Sequence, residues 1–206
     1  MIGINLKRIN EALKNKTPEE IINWALTLSD KRIVSTSFGS YSAVLLSAMS
    51  NKDKNIKVVW CDTGYNTNKT YEHAITLINT LNLNINIYSP RHSKSFIDST
   101  IGLPGIDDLM FQKFTDIVKL EPFRRALTEH KPDVWFTNIR INQTEHRNSK
   151  GVLSFSKEGI LKVSPFYHYT DNDLDTYLKE NCLSKNDSYF DVTKVLANRE
   201  CGIQLQ

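Results

Sequence analysis

Cys201 lies close to the end of the chain in Arg199-Glu-Cys-Gly-Ile-Gln204, where packing places few demands on side chains. An arginine two residues away would lower the thiol's pKa and make it a nucleophile, whereas by position alone it reads as an incidental thiol on a tail. Cys61 sits within an apolar run and reads as core, and Cys182 follows a helical stretch and reads as a bystander. Three cysteines, widely spaced and without a CxxC pair, indicate neither a disulfide framework nor a zinc site and fit a reducing compartment.

A second group of residues suits anions. Ser35-Thr-Ser37-Phe38-Gly39-Ser-Tyr-Ser42 falls between a strand-like and a helix-like stretch, so its amides, its hydroxyls and a helix N-terminus can meet a phosphate. The same small residues would also serve as a turn that permits close packing. Asp62-Thr63-Gly64-Tyr65 ends the next strand-like run and could meet a nucleoside's hydroxyls and ring, or simply cap a helix. Lys119, Arg124, Arg125, Arg140, Arg147 and Arg199 are cations that one cleft could gather, with at least one of Arg124 and Arg125 expected on a solvated face. Of the five histidines, which show no ligand spacing, only His146 lies among these cations, between Arg140 and Arg147.

These groups need a scaffold, and the patterning supplies one. Residues 4–15 and 18–29 have helical spacing, the second opened by Thr17, Pro18 and Glu20 as a capping box. Strands are expected at 32–37, 56–62, 83–88 and 134–139, with helices at 42–49, around 71–81 and around 122–129. A further helix is expected near 174–179, and 91–118 reads as a long loop with a short helix over the site. Strands alternating with helices imply right-handed crossovers and an α/β, doubly wound, mostly parallel sheet. Ligands in such sheets bind beyond the carboxyl ends of the strands, which selects 37–42, 62–65 and 140–147.

Composition narrows the classes. With 206 residues, 40% hydrophobic and 24% charged, the chain can bury one core, and no apolar run approaches the roughly 18 residues a membrane helix needs. Met1, Lys7, Arg8 and Glu11 break any signal-peptide pattern, so a cytoplasmic location is expected. A net charge of +3 is too slight for a nucleic-acid coat but is sufficient for a small anion if focused in one cleft.

Taken in order, STSFGSYSAV at 35–44, VVWCDTGYNTNKTYE at 58–72, KLEPFRRAL at 119–127, IRINQTEHR at 139–147 and RECGI at 199–203 resemble the sulfonucleotide reductases, the phosphoadenylyl-sulfate reductase family, in its cluster-free form. The resemblance implies an adenine nucleotide α-hydrolase-like (Rossmann-like) fold with N-terminal helices at 1–30, a nucleotide-binding core at 31–190 and a mobile catalytic tail at 191–206. It implies Cys201 as the catalytic thiol. It also implies substrate contacts from Ser35, Ser37, Phe38, Gly39, Ser42, Asp62, Thr63, Gly64, Tyr65, Lys119, Arg140, Gln143, Arg147 and Arg199. The implied reaction is reduction of 3′-phosphoadenylyl sulfate to sulfite and adenosine 3′,5′-bisphosphate in sulfate assimilation, with no bound cofactor and with thioredoxin or glutaredoxin as donor. A homodimer is the expected assembly on base rates.

Three departures bear on this. Tyr41 stands where the related ATP pyrophosphatases carry an acid, Phe114-Thr115 stands where cluster-bearing members place a cysteine pair, and Gln204 replaces the tail's usual histidine. A four-thiolate cluster cannot be built from this chain's three cysteines. The other readings are a cluster-free adenylyl-sulfate reductase, a nucleotidyltransferase or ATP pyrophosphatase of the same fold, and a nucleotide-binding module without catalysis. Truncating Lys119, Arg140 or Arg147 is expected to weaken substrate binding or turnover more than fold stability.

Overall fold

The computed structural model describes residues 5–105, 107–143, 147, 150–194 and 203. Two helices precede the sheet, α1 (Leu6–Leu13) and α2 (Pro18–Leu26). The reciprocal bonds between Thr17 and Glu20 start α2 where the sequence predicts, and both helices end a turn or less before their expected limits. The order then runs β1 (Arg32–Thr36), α3 (Ser42–Lys52), β2 (Lys57–Cys61), α4 (Asn68–Leu81) and β3 (Asn84–Tyr88). Next come α5 (Lys94–Thr100), α6 (Phe111–Thr115), a π turn (Asp116–Leu120), α7 (Glu121–His130) and β4 (Val134–Phe136). The chain continues through β5 (Leu153–Phe155), β6 (Leu161–Val163) and α8 (Asp171–Glu180).

The six strands lie in the order β3-β2-β1-β4-β6-β5, parallel except where β5 meets β6. The chain builds outward from β1 through β2 to β3, then returns to add β4 on the other side of β1. That reversal opens a crevice beyond the carboxyl ends of β1 and β4. Strands covered on both faces read as continuous apolar runs, and Ile33-Val34 and Val58-Val59-Trp60 do so. One face puts Val34, Val58, Trp60 and Phe136 into a core with α2, α3, α4 and α8. The other puts Ile33, Val59 and Trp135 against Phe123, Ala126 and Leu127 of α7, with the Phe123 and Trp135 rings 4.8 Å apart. Each such fully buried large side chain stabilises the fold by roughly 1.5–3 kcal/mol.

Two regions differ from expectation. The span 91–118 contains α5, capped by the Ser93 hydroxyl accepting from the Phe96 amide, then α6 and most of a π turn that leads into α7. The π turn disrupts the 3.6-residue spacing that would have revealed a continuous helix. The hairpin of β5 and β6 has three-residue strands, too short for a period, and Lys162 within it is buried over the Trp135 ring. Among the described residues no helix is long and apolar enough to cross a membrane.

Candidate functional site

A cleft of about 320 Å³ occupies the crevice, lined by the ends of β1 and β2, the loop leading into α3, and the segment after β4. Of the predicted residues, it brings together Ser35, Ser37, Gly39, Ser42, Lys119, Arg140, Gln143 and Arg147. The loop after β1 has a fixed shape. Phe38 takes a left-handed backbone (φ 47°), costly for a residue with a Cβ, and is held there by its side chain, which is fully buried edge-on to Trp60 at 4.8 Å. Phe38 is therefore an anchor beneath the loop rather than part of the lining. Gly39 allows a close approach, since a Cβ there would stand 3.3 Å from Cε1 of the Tyr189 ring. Helix α3 starts at Ser42 with no side chain capping its first turn, so the positive end of its dipole lies at the cleft.

Asn186, which the sequence reading did not single out, clamps this loop. Its Nδ2 donates to the Phe38 carbonyl at 2.8 Å and to Thr70 Oγ1 at 3.2 Å, and its amide donates to the Ser40 carbonyl at 3.2 Å. Asn186→Ala leaves a buried carbonyl and hydroxyl short of a donor, and an expected loss of about 1–3 kcal/mol should be read in urea unfolding. A loss below about 0.5 kcal/mol would show that the clamp does not hold the loop.

The cations are individually aimed. Lys119 projects from the π turn and donates to Asp191 and, at 3.1 Å, to Thr193 Oγ1, with both charged side chains almost fully buried. Burial pushes the Asp191 carboxyl upward, but Lys119 and the Thr193 donors outweigh it and hold the pKa at about 2. Arg140 lies over the Tyr41 ring, 5.1 Å from its centroid, and pairs with Asp171, while its buried Nε has no hydrogen-bond partner among the described residues. Gln143 Oε1 accepts from the Arg140 amide at 3.0 Å and from the guanidinium of buried Arg147, so one amide side chain sets both arginines. Tyr167 fixes the same segment by donating to the Arg147 carbonyl at 2.7 Å. Tyr41 itself receives a hydrogen bond from Lys185 Nζ at 2.7 Å.

Other predicted residues lie elsewhere. Asp62 Oδ1 accepts from the Gly64 amide, Asn66 Nδ2 and the Tyr71 hydroxyl at 2.8–3.0 Å. Gly64 closes that turn with φ 79°, Thr63 Oγ1 accepts from the Tyr65 amide, and the Tyr65 hydroxyl donates to Asp98 at 2.6 Å. Asp62–Tyr65 thus stand beside β2's end with these groups bonded within the fold, and none of the four lines the cleft. Arg124 and Arg125 pair with Asp116 and Glu121 away from the lining, the solvated arrangement expected of at least one of them. Cys61 is buried, as a core residue would be, and also lines the cleft. Asn138, Tyr189, Asp191 and Lys194 line it without any sequence signal that singled them out. Cys201, Arg199, His146 and Gln204 lie outside the described residues. Ile203, two residues beyond Cys201, is buried in the cleft wall with Val59, Cys61 and Phe123.

A family model described as the phosphoadenosine phosphosulfate reductase domain matches residues 31–192, from β1 to the Tyr189–Asp191 side of the cleft. The chain belongs to the phosphoadenosine phosphosulfate reductase family. It is an oxidoreductase of that family. Phosphoadenosine 5′-phosphosulfate reductase from Vibrio vulnificus is 34% identical over 186 residues, which cover 88% of this chain and 71% of that protein. The reductase of the same name from Buchnera aphidicola is 34% identical over 190 residues, covering 90% and 77%. In fold, the chain is similar to the phosphoadenylyl-sulfate reductase of Candida auris in its phosphate complex, with a TM-score of 0.78, 23% identity and coverage of 91% and 90%. An NH3-dependent NAD synthetase from Campylobacter jejuni shares the fold more distantly, with a TM-score of 0.56, 14% identity and coverage of 87% and 75%.

Proposed function

We propose that the cleft binds 3′-phosphoadenylyl sulfate and that Cys201 is the thiol that takes its sulfonate group. The thiolate attacks the sulfate sulfur, a sulfur–sulfur bond forms as the bond from sulfur to the bridging oxygen breaks, and adenosine 3′,5′-bisphosphate leaves with that oxygen. A reduced dithiol protein, thioredoxin or glutaredoxin, then attacks the S-sulfonate, releases sulfite and is itself oxidised to a disulfide. The phosphoric–sulfuric anhydride is already activated, so the chain's own residues need only position it and balance its charge. The loop at 37–42 and the start of α3 suit the phosphate oxygens, and Lys119, Arg140 and Arg147 suit the charge that grows on the leaving group.

The observation that carries this reading is Ile203. Ile203 is buried in the wall of the cation-lined cleft, and because two residues span at most about 7 Å this supports Cys201 as the thiol that meets the substrate there. Supplying 3′-phosphoadenylyl sulfate or adenylyl sulfate with reduced thioredoxin and measuring sulfite tests it, with faster turnover expected for the 3′-phosphorylated substrate. Sulfite from neither would overturn the reading. Adenosine 3′,5′-bisphosphate should also raise the melting temperature, and Gly39→Val, which drives a branched side chain toward the Tyr189 ring, should cancel that rise. A rise equal to wild type in Gly39→Val would remove the loop from the site.

A further inference from the structure

We propose that Asp191 is a positioning residue for the sulfur-transfer step: its carboxylate aims Lys119 into the cleft and fixes the turn at Thr193 from which the chain runs on toward Cys201. The inference deepens the function proposed above and rests on Cys201 as the nucleophile. A carboxylate in a cleft for a polyanion works against binding, and among the described lining residues Asp191 is the one acid beside Lys119, Arg140, Arg147 and Lys194. Stability is a weak reason for it, because a buried ion pair rarely outperforms apolar packing of the same volume.

Its bonds point to orientation instead. One oxygen accepts from Lys119 and from the Tyr189 hydroxyl at 3.2 Å, joining the lysine to the ring that lies against Gly39. The other accepts from the Thr193 amide at 3.0 Å and the Thr193 hydroxyl at 2.7 Å, which closes a turn at the root of the segment leading to Cys201. Between them Val192 is buried against Ile97, Phe114 and Val118, so this root is seated on the same helical stretch that projects Lys119. One carboxylate thereby couples the aim of a cation on the substrate to the departure point of the nucleophile's segment.

The test uses full-length protein carrying Asp191→Asn or Thr193→Val. Affinity for adenosine 3′,5′-bisphosphate is measured by calorimetry. The first-order rate of adding a sulfonate to Cys201 is measured by mass spectrometry at saturating 3′-phosphoadenylyl sulfate without reductant. Asp191→Asn is expected to bind the nucleotide at least as tightly as wild type, since a negative charge has left the cleft, yet to form the adduct at least tenfold more slowly. Thr193→Val should keep affinity within about twofold and slow the adduct several-fold. A purely structural role predicts instead that affinity and rate fall together with the folded fraction, read from melting curves, and that result overturns the proposal. So does adduct formation within twofold of wild type in both variants. If Asp191→Asn does not fold, Thr193→Val decides alone, and an unchanged rate there overturns it. Absence of the adduct in wild type would fail the parent reading and this one with it, whereas a normal wild type with normal variants fails this one only.

Discussion

Replacing Cys201 with serine is expected to abolish sulfite formation while leaving the affinity for adenosine 3′,5′-bisphosphate within about twofold, because a hydroxyl replaces the nucleophile without touching the cations that line the cleft. Wild-type protein incubated with 3′-phosphoadenylyl sulfate and no reductant should gain about 80 Da, the mass of SO₃, on the peptide containing Cys201. Reduced thioredoxin should then remove that mass as sulfite. Cys61→Ser and Cys182→Ser should both keep the adduct. For Cys61 this is a demanding control, since its side chain lines the same cleft and packs in the cluster that contains Ile203. An adduct on Cys61 or Cys182, or sulfite from Cys201→Ser, would overturn the assignment.

Lys119→Met is expected to impair both turnover and folding. The loss of a charge-assisted bond to the substrate should lower turnover tenfold or more. The structure adds a stability cost that the sequence did not suggest, because the lysine is buried against an equally buried Asp191. Removing it leaves an uncompensated carboxylate, at an expected cost of about 3–5 kcal/mol near pH 7. The pH dependence has a definite sign. In wild type the Asp191 pKa is lowered to about 2, so its contribution is full above its ordinary value near 3.8 and is lost as pH falls toward 2. In Lys119→Met burial acts unopposed by the lysine and raises that pKa, so acidification from pH 7 toward pH 4 protonates the group and should narrow the gap to wild type. Urea unfolding of both proteins at pH 7 and pH 4.5 measures this, and a gap that stays constant or widens would refute it.

β1, β2 and β4 were legible because each is covered on both faces and reads as an apolar run, β3 because its edge position leaves an apolar–polar alternation, and turn residues follow β1 and β2. The hairpin of β5 and β6 was not, since three residues carry no period and Lys162 disguises a buried position. At the site, Lys119, Arg140 and Arg147 could be read from residue type and from their places at strand ends and before a helix. Gln143 entered only through the family motif, and its bonds to both arginines explain why an amide stands there. Asp62 shows the limit of spacing. A carboxylate at a strand end looks the same whether or not it also holds its own turn, and here one Asp62 oxygen accepts from an amide two residues on and a tyrosine nine residues on. Asp191 and Asn186 were silent because their partners, Lys119 and Phe38, are remote in sequence and only the tertiary fold supplies them.

The π turn at Asp116–Leu120 limits how this chain's cleft can change. A π turn holds one residue more than the α-helix it interrupts, so the rod before it and the rod after it are out of phase by one residue. Phe114 and Val118 face Ile97 and Val192, while Lys119 and Phe123 face the cleft. Deleting one residue from the turn would give a smoother helix with better backbone bonds, but one half would have to rotate by roughly 100° against the other. Either the apolar pair would leave its packing or the lysine would leave the cleft. The extra residue of the turn thus sets the phase between the face seated on Ile97 and Val192 and the lysine in the cleft.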